Sequence, residues 1–391
     1  MNRVEKFKIE SAELRTIAAD FCAQIERGIQ DQASCFKMLN SYLPRAIGQE
    51  CGRYIALDFG GTNVRALLVE LQGMGQVRIL DSAIRKIPAQ LTDSSADARQ
   101  LFAFIAQVVS EIVKGQTPYA LAHTFSFPVR QTDANRGVLV EWAKEFATAG
   151  VVGCDVNELL SQALSEQGLD NVQPVVLLND TVATLLAASY TDPDTVIGSI
   201  CGTGHNTAFF DGRGSTIVNL ESGNFNMLVG NEYDRRLDSN SKNPARQRLE
   251  KMTAGRYLGE IFRLAAKRED FSQPFSLDTQ LLADIIAGQD ARFDSIEREL
   301  ARAIVRRAAA LVAASYAGVL MYLELDTDKA VSIAVDGSLY DKMPLYADGI
   351  RETLGALLGD RVKNISIFAE NRGSSVGAAV AAALVEANCI T

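Results

Sequence analysis

The chain is short of the residues that build metal sites and disulfide-linked scaffolds. Its 391 residues include two histidines and six cysteines, and no two cysteines form a C-x-x-C pair. A structural zinc site is therefore not expected. Cysteines scattered in this way through an acidic chain of enzyme size favour a reducing, cytoplasmic location.

Positive charge is also in deficit, since the formal net charge is -9. A chain with this balance lacks the basic surface with which proteins hold DNA, RNA or acidic membranes, so no nucleic-acid or membrane partner is expected. A single nucleotide remains compatible with the charge, because a few backbone N–H groups are enough to hold a phosphate. The N-terminal segment MNRVEKFKIESAELR lacks the apolar core of a signal peptide.

Long hydrophobic runs are missing, with one exception that needs a membrane check. Residues 308–323 carry no charge, but the run is Ala-rich and shorter than the roughly 20 residues that cross a bilayer. We expect a helix buried between layers of a large domain. The content of 47% hydrophobic and 22% charged residues is typical of a globular protein, and the length fits two or three domains.

The phosphate loops of the commonest nucleotide-binding folds are absent. No G-x-x-x-x-G-K-[ST] occurs, and the glycine turns lead into strands instead of helices. Two strand–glycine–strand hairpins are present instead, at residues 54–69 and 197–210. Glycine lets the backbone approach a ligand closely, and successive N–H groups in such turns form an anion-binding concavity. Each hairpin alone is equally compatible with an ordinary β-hairpin, but the pair indicates two related halves facing one cleft.

Three predicted strands end in carboxylates, at Asp58, Asp180 and Asp336. Functional groups in open α/β sheets gather at the carboxyl ends of strands. Asp180 lies between an apolar strand and a segment of helical composition, so it has two interpretations. It is either the N-cap of the helix or a general base that accepts the proton of an attacking hydroxyl.

A series of segments, in one order from about residue 38 to residue 384, resembles the hexokinase family. The two hairpins resemble its phosphate-binding hairpins, and Thr124–Pro128 (TFSFP) resembles its sugar-contacting segment. Trp142–Phe146 (WAKEF) resembles its lysine segment, and Leu178–Val182 (LNDTV) resembles its catalytic aspartate motif. Further matches lie at 221–223, 247–250, 335–338 and 372–379.

The resemblance implies an α/β fold of two actin-like (ribonuclease H-like) domains around a deep cleft, each with a central mixed sheet and flanking helices. The smaller domain is expected to hold residues 52–178 and 373–391. The larger is expected to hold residues 1–51 and 179–372.

The resemblance also implies the site residues. Asp180 is the expected general base and Lys144 the cation near the transferring phosphoryl group. The expected sugar contacts are Ser126, Phe127, Pro128, Lys144, Asn179, Asp180, Asn206, Glu221, Gln247 and Glu250. The expected nucleotide contacts are Asp58, Gly60, Gly61, Thr62, Asn63, Arg65, Gly202, Thr203, Gly204, Asp336, Gly337, Ser338, Gly373 and Ser374. Mg²⁺ is expected to arrive with ATP, with no direct protein ligand and with Asp58 reaching it through water.

The implied reaction is transfer of the ATP γ-phosphoryl group to a hexose, with glucose and its O6 hydroxyl first and mannose or fructose open as acceptors. Closure driven by the sugar would suppress ATP hydrolysis. The chain departs from the family pattern at Ala143, where threonine is usual, at His205, where a small residue is usual, and at Ser222, where tryptophan is common. The alternatives are a catalytically weakened sugar sensor, an ATPase chaperone, or a bacterial repressor-type glucokinase, whose C-x-C-G cluster is absent.

Overall fold

The computed structural model describes residues 3–142, 146–324 and 329–390. The chain divides into two compact units. Unit 1 contains Met1–Met38, Ser199–Thr207 and Leu220–Asn371, and unit 2 contains Leu39–Gly198, Ala208–Asn219 and Arg372–Thr391. The units divide the chain differently from the predicted domains, for example at residues 179–198, which belong to unit 2. The predicted domain boundaries stay a prediction.

Helices and strands alternate through most of the chain. The α-helices of the described residues are α1 Ser11–Ile29, α2 Ala89–Thr92, α3 Ala98–Ser110, α4 Val156–Glu166, α5 Asp180–Thr191, α6 Glu232–Ser239, α7 Arg248–Thr253, α8 Gly255–Ala266, α9 Thr279–Ala287, α10 Ser295–Leu323, α11 Ser338–Lys342, α12 Tyr346–Leu358 and α13 Ala378–Ile390. The strands are β1 Leu39–Asn40, β2 Cys51–Phe59, β3 Asn63–Gln72, β4 Val77–Lys86, β5 Tyr119–Phe125, β6 Val129–Gln131, β7 Gly137–Leu139, β8 Val172–Leu178, β9 Thr195–Cys201, β10 His205–Asp211, β11 Thr216–Asn219, β12 Val331–Asp336 and β13 Ile365–Ala369.

Unit 2 is built on a five-stranded sheet of order β4-β3-β2-β5-β8. Strands β2, β3 and β4 pair antiparallel, whereas β5 pairs in parallel with both β2 and β8. The sheet is therefore mixed, and its first antiparallel pair is the predicted hairpin at 54–69. In the same unit, β1, β11 and residues 208–211 of β10 pair antiparallel in that order.

Alternation along β2 supplies both faces of this sheet, since successive side chains of a strand point to opposite sides. Leu57 and Phe59 belong to the core that contains Leu101 of α3 and Leu160 of α4. Ala56 belongs to the core that contains apolar residues of α5 and α13. The sheet thus has helices on both faces, and the predicted α/β class with mixed sheets and flanking helices is confirmed.

Unit 1 contains the turn between β9 and β10, the parallel pair β12–β13, and a group of helices around α10. A capping box of Asp294 and Glu297 starts α10. By length and composition α10 could cross a membrane, but 78% of its most apolar stretch is buried, where it packs against α1, α8, α9 and α12. The expected buried helix at 308–323 is confirmed. It begins at Ser295, before the apolar run, because its capping box lies in the charged segment that precedes the run.

Candidate active site

The predicted site residues fall in both units. In unit 2, β2 ends at Phe59 and β3 begins at Asn63, so Gly60, Gly61 and Thr62 form the turn of the first hairpin. Gly61 has a φ of +129°, a conformation that L side chains rarely adopt. Asp58 and Arg65 are partners across the ladder, and Arg65 Nη1 lies 3.6 Å from Asp58 Oδ2.

The expected sugar-contacting segment follows β5 directly. The Phe127 ring is buried and packs within an aromatic cluster with Phe59, Phe125, Trp142 and Phe146. Ser126 and Pro128 are half-buried. Because the Phe127 side chain belongs to the core, this segment can offer a ligand its backbone and the Ser126 hydroxyl.

The expected lysine segment is only partly described. Lys144 and the departure at Ala143 lie outside the described residues. On one side, Trp142 donates from its indole N–H to the Thr148 carbonyl oxygen at 2.8 Å. On the other side, Phe146 is buried in the aromatic cluster. The neighbours of the segment are therefore anchored in the core, as their aromatic character predicts.

The start of α5 separates the two interpretations of Asp180. The N-cap of this helix is Asn179, whose side chain accepts a hydrogen bond from the Thr181 N–H at 2.9 Å. Asp180 stands in the first turn, and its Oδ1 accepts from the same N–H at 2.8 Å. Among the described residues, no group donates a hydrogen bond to Asp180 Oδ2. Asp180, for which the sequence allowed either a helix N-cap or a general base, is therefore not the N-cap.

The glycine segment near the C-terminus packs closely against α5. Gly373–Gly377 form a π-helical turn that leads into α13. A Cβ on Gly377 would lie 1.8 Å from the Ala183 carbonyl oxygen, and one on Gly373 would lie 2.7 Å from Thr184 Oγ1. Thr124 donates from Oγ1 to the Ser374 carbonyl oxygen at 3.3 Å. The predicted nucleotide residues Gly373 and Ser374 thus lie against α5 and the end of β5.

In unit 1, the second glycine turn is held by hydrogen bonds from the start of α8. The Gly202 N–H donates to the Gly204 carbonyl oxygen at 3.1 Å, the Gly255 N–H donates to the Gly202 carbonyl oxygen at 2.9 Å, and the Arg256 N–H donates to the Thr203 carbonyl oxygen at 3.2 Å. The Thr203 side chain is exposed.

The residues after β12 lie beside this turn. Gly337 has a φ of +130°, and a Cβ there would lie 2.4 Å from the Cys201 carbonyl oxygen. Asp336, Gly337 and Ser338, expected on the adenosine side, are therefore close to the second hairpin, and glycine is required for that approach.

His205, a departure from the family pattern, is a buried core residue. Its Nδ1 lies 3.1 Å from the Ile200 carbonyl oxygen, so we assign the proton to Nδ1. Burial lowers the pKa of its imidazole to about 4, which leaves the ring neutral at pH 7. Its backbone N–H donates to Glu250 Oε2 at 3.3 Å. The His205 side chain thus binds the backbone at the end of β9, and its backbone N–H contacts Glu250, a predicted sugar contact.

Three predicted sugar contacts from separate segments lie together in unit 1. Asn206 donates from Nδ2 to Glu221 Oε1 at 3.2 Å. Gly204 and Gly223 both lie against Glu250, with distances of 3.2 Å from a Cβ on Gly204 to Glu250 Oε2 and 3.0 Å from a Cβ on Gly223 to Glu250 Cβ. The Asn206, Glu221 and Glu250 side chains are half-buried, so they can bind a ligand.

A fourth predicted sugar contact, Gln247, is the N-cap residue before α7 and has a φ of 52°. Its Oε1 accepts a hydrogen bond from Asn243 Nδ2. The departure at Ser222 is fully buried, and its hydroxyl donates to Thr207 Oγ1 at 3.1 Å. Sequence reasoning missed Asp238 and Lys251, which hold the loop before Gln247. No local pattern marks them, since both occur in strongly charged segments.

Comparison with known proteins supplies the family. Family models described as hexokinase match residues 2–190 and residues 196–297 and 279–384. Hexokinase-7 of Oryza sativa subsp. japonica is 33% identical, over 97% of this chain and 95% of the relative. A hexokinase crystal structure superposes with a TM-score of 0.89 at 31% identity, covering 98% of this chain and 97% of the other. The hexokinase of Schistosoma mansoni, complexed with glucose, superposes with a TM-score of 0.84 at 28% identity, covering 97% of each chain.

These matches cover nearly the whole chain and set aside the chaperone interpretation. The predicted resemblance is confirmed: the chain belongs to the hexokinase family and is a sugar-phosphorylating phosphotransferase.

Proposed function

We propose that the protein transfers the γ-phosphoryl group of ATP to the O6 hydroxyl of D-glucose, with Asp180 as the general base. The arrangement at the start of α5 carries this assignment. Asn179 caps the helix, so Asp180 Oδ2 is left to accept a proton. A hydroxyl that attacks phosphorus must lose its proton, and a carboxylate within hydrogen-bond reach can take it. Glucose is chosen because a related structure is complexed with it.

The polar cluster of unit 1 supports recognition of a polyol. In this proposal Glu221 and Glu250 accept hydrogen bonds from ring hydroxyls, while Asn206 and Gln247 supply amide groups. A sugar that lacks one of these hydroxyls would leave a buried polar group unpaired, which is the physical source of selectivity. Asn179 orients the start of α5 beside the base, and the Ser126 hydroxyl and the backbone of the TFSFP segment complete the contacts. Lys144 keeps its expected role near the phosphoryl group.

The two glycine hairpins are the proposed phosphate cradles, since their N–H groups are the donors that such turns offer to an anion. When bound with ATP, Mg²⁺ neutralises charge on the phosphates. Asp58 is a carboxylate of the kind that Mg²⁺ prefers, and it stands one residue before the end of β2, paired with Arg65. Among the described residues there is no group of three or more His, Cys, Asp or Glu side chains that could hold a metal ion.

The test is ADP release from Mg·ATP with and without glucose, for the native protein and for Asp180→Asn. General-base catalysis contributes about 10²- to 10⁴-fold, so kcat should fall by that factor in Asp180→Asn. The Kd for glucose, measured by calorimetry, should change little. Asp194→Asn, an exposed aspartate beyond the other end of α5, is the matched control and should keep full activity. Full activity of Asp180→Asn would overturn the assignment of the base.

The sugar-sensor alternative is tested in the same assay. Saturable glucose binding without ADP release from the native protein would favour a sensor. Steady ADP release that is indifferent to sugar would contradict the proposed acceptor. A panel of glucose, mannose and fructose then ranks the acceptors by kcat/KM.

A further inference from the structure

A buried lysine stands next to a predicted sugar carboxylate. The Lys251 side chain is 4% exposed, and its Nζ lies 2.6 Å from Asp238 Oδ1 and 2.7 Å from the Asn243 carbonyl oxygen. Lysine is almost never buried to this extent unless it is paired. Lys251 therefore links α7 to the end of α6 and to the loop between them.

Asp238 holds the same loop at a second point. Both of its carboxylate oxygens accept from the Ala245 N–H, at 3.1 and 2.9 Å. Burial alone would raise the pKa of this carboxyl, but the hydrogen bonds from Lys251 and Ala245 outweigh burial and lower the pKa. The carboxylate is thus charged at neutral pH and joins the lysine to the loop backbone.

The segment held in this way has an unfavourable backbone. Ala245 and Gln247 have φ angles of 63° and 52°, in the left-handed region that residues other than glycine and asparagine avoid. Such conformations persist only where surrounding contacts impose them. The contacts here are those of Asp238 with Ala245, of Lys251 with Asn243, and of Asn243 with Gln247.

Helix α7 depends on the same anchor. It has six residues, Arg248–Thr253, and a helix of this length is not stable by itself. Its position comes from the burial of Leu249 and Met252 and from the ion pair of Lys251. Gln247 precedes this helix and Glu250 lies within it, so both side chains are oriented by the anchor.

We propose that Lys251 and Asp238 are positioning residues for hexose affinity. They hold Gln247 and Glu250 in place before the sugar arrives, so that binding does not have to order the loop. This inference rests on the proposed function, in which Gln247 and Glu250 contact the hexose. Loss of binding that is equal in the ground state and the transition state raises KM and leaves kcat unchanged. The network should therefore act on the KM for glucose and leave kcat and the KM for ATP nearly unchanged.

The first variant is Lys251→Met, which keeps most of the length of the side chain and removes its charge. The Kd for glucose should rise about tenfold or more, because ordering a loop on binding lowers affinity, while kcat changes by less than about threefold. Amide exchange at Ala245 should become faster. Asp238→Asn is the second variant, since the Asp238 side chain is 32% exposed and the change keeps its size. We expect a rise of about three- to tenfold there.

Arg307→Lys is the matched control. Arg307 makes a two-point ion pair with Asp234, at 2.6 and 2.7 Å, buried in the same unit. Lysine cannot reproduce the two-point geometry, so this variant loses stability without touching the loop, and its Kd for glucose should equal that of the native protein. A parallel rise in Kd in Arg307→Lys would mean that general destabilisation is responsible and would overturn the inference.

A double-mutant cycle tests the route of action. In a Gln247→Ala background, Lys251→Met should cost less affinity than it does in the native protein, because the two residues act through one loop. Full additivity contradicts the inference. If the native protein binds glucose and Lys251→Met binds it equally well, this inference alone fails. If the native protein binds no hexose, the proposed function fails and takes this inference with it.

Discussion

Three of the residues other than glycine that have left-handed backbone lie at or next to proposed sugar contacts. Glu221, Ala245 and Gln247 all have φ angles between 52° and 63°. Each such residue costs on the order of 1 kcal/mol or more relative to glycine. Strain of this kind persists where neighbouring contacts impose it, and here those contacts also orient side chains that we propose as sugar contacts.

Ala245 offers a test of this strain, because its side chain is exposed and only its backbone is constrained. Ala245→Gly should raise the free energy of unfolding by about 0.5 to 1 kcal/mol, less any entropy that glycine adds to the unfolded chain. Ala19→Gly, in the exposed interior of α1, should lower it by about 1 kcal/mol. Urea denaturation of both variants measures the two effects, and a change of the same sign in both would contradict the interpretation.

At this scale the sequence indicated the acidic and amide side chains that we propose as sugar contacts, but not the residues that hold them in place. Asp180 was recognisable because an apolar strand ends beside it, yet only the geometry showed that Asn179 is the cap. Asn206, Glu221 and Glu250 were predicted as sugar contacts through the resemblance, and this role stays a prediction. Lys251 and Asp238 could not be found, because they lie thirteen positions apart and an ion pair between separate segments leaves no periodic pattern in the sequence.

Among the elements, the position of α5 depends on the glycines that pack against it, Gly373 and Gly377. The turn Gly373–Gly377 approaches the backbone of α5 so closely that a methyl group at Gly377 would overlap the Ala183 carbonyl oxygen. The neighbour is backbone, which cannot rotate away, so the helix itself would have to move. Asp180 is carried at the start of that helix.

Gly377→Ala should therefore affect stability and catalysis together. We expect a loss of about 1 to 3 kcal/mol or more in the free energy of unfolding from overpacking, and a fall in kcat for the variant that remains folded. Gly355→Ala is the control, since it lies within α12 and a Cβ there would have only Val362 nearby, at 3.8 Å; it should be neutral or stabilising by up to about 1 kcal/mol. Unchanged kcat and stability in Gly377→Ala would show that α5 tolerates displacement.

Helices and strands could be predicted where neighbouring residues in the sequence contain the signal. The two glycine hairpins occur where the strand–glycine–strand pattern predicts them. The apolar run at 308–323 indicated only the second half of α10, because Asp294 and Glu297 form the cap in a segment with mixed charge. The pairing of β12 with β13 depends on residues more than thirty positions apart, and no local signal contains it.

For the molecule as a whole, two buried histidines connect stability with pH. Burial lowers the pKa of His123 and of His205 to about 4 each. His123 donates from Nδ1 to Asn157 Oδ1 at 2.8 Å, and its Nε2 has no hydrogen-bond partner among the described residues. Protonation would add a buried N–H without an acceptor, which the folded state resists.

The free energy of unfolding should accordingly fall as pH drops from about 6.5 towards about 4. The unfolded histidines bind protons in this interval while the folded ones do not, and the full effect is about 3 kcal/mol for each. Chemical denaturation at pH 7 and pH 5 measures it. In His123→Gln the difference between the free energies of unfolding at the two pH values should shrink, and a lower free energy at both pH values does not affect this comparison. An equal pH dependence in His123→Gln would exclude this origin, since carboxylates are common to both proteins.

The discontinuity of the two units has a consequence for synthesis on the ribosome. Unit 2 is completed by residues 372–391, yet 220–371 belong to unit 1. Helix α13 packs against β2, β5 and β8, and it is translated about 200 residues after β8 ends. At a synthesis rate of about 5 to 20 residues per second, α13 is made some 10 to 40 seconds after β8. During this interval α13 does not cover the apolar face of the sheet. A nascent chain of this protein therefore presents an unfinished hydrophobic surface, and chaperones that bind such surfaces have a defined window in which to act.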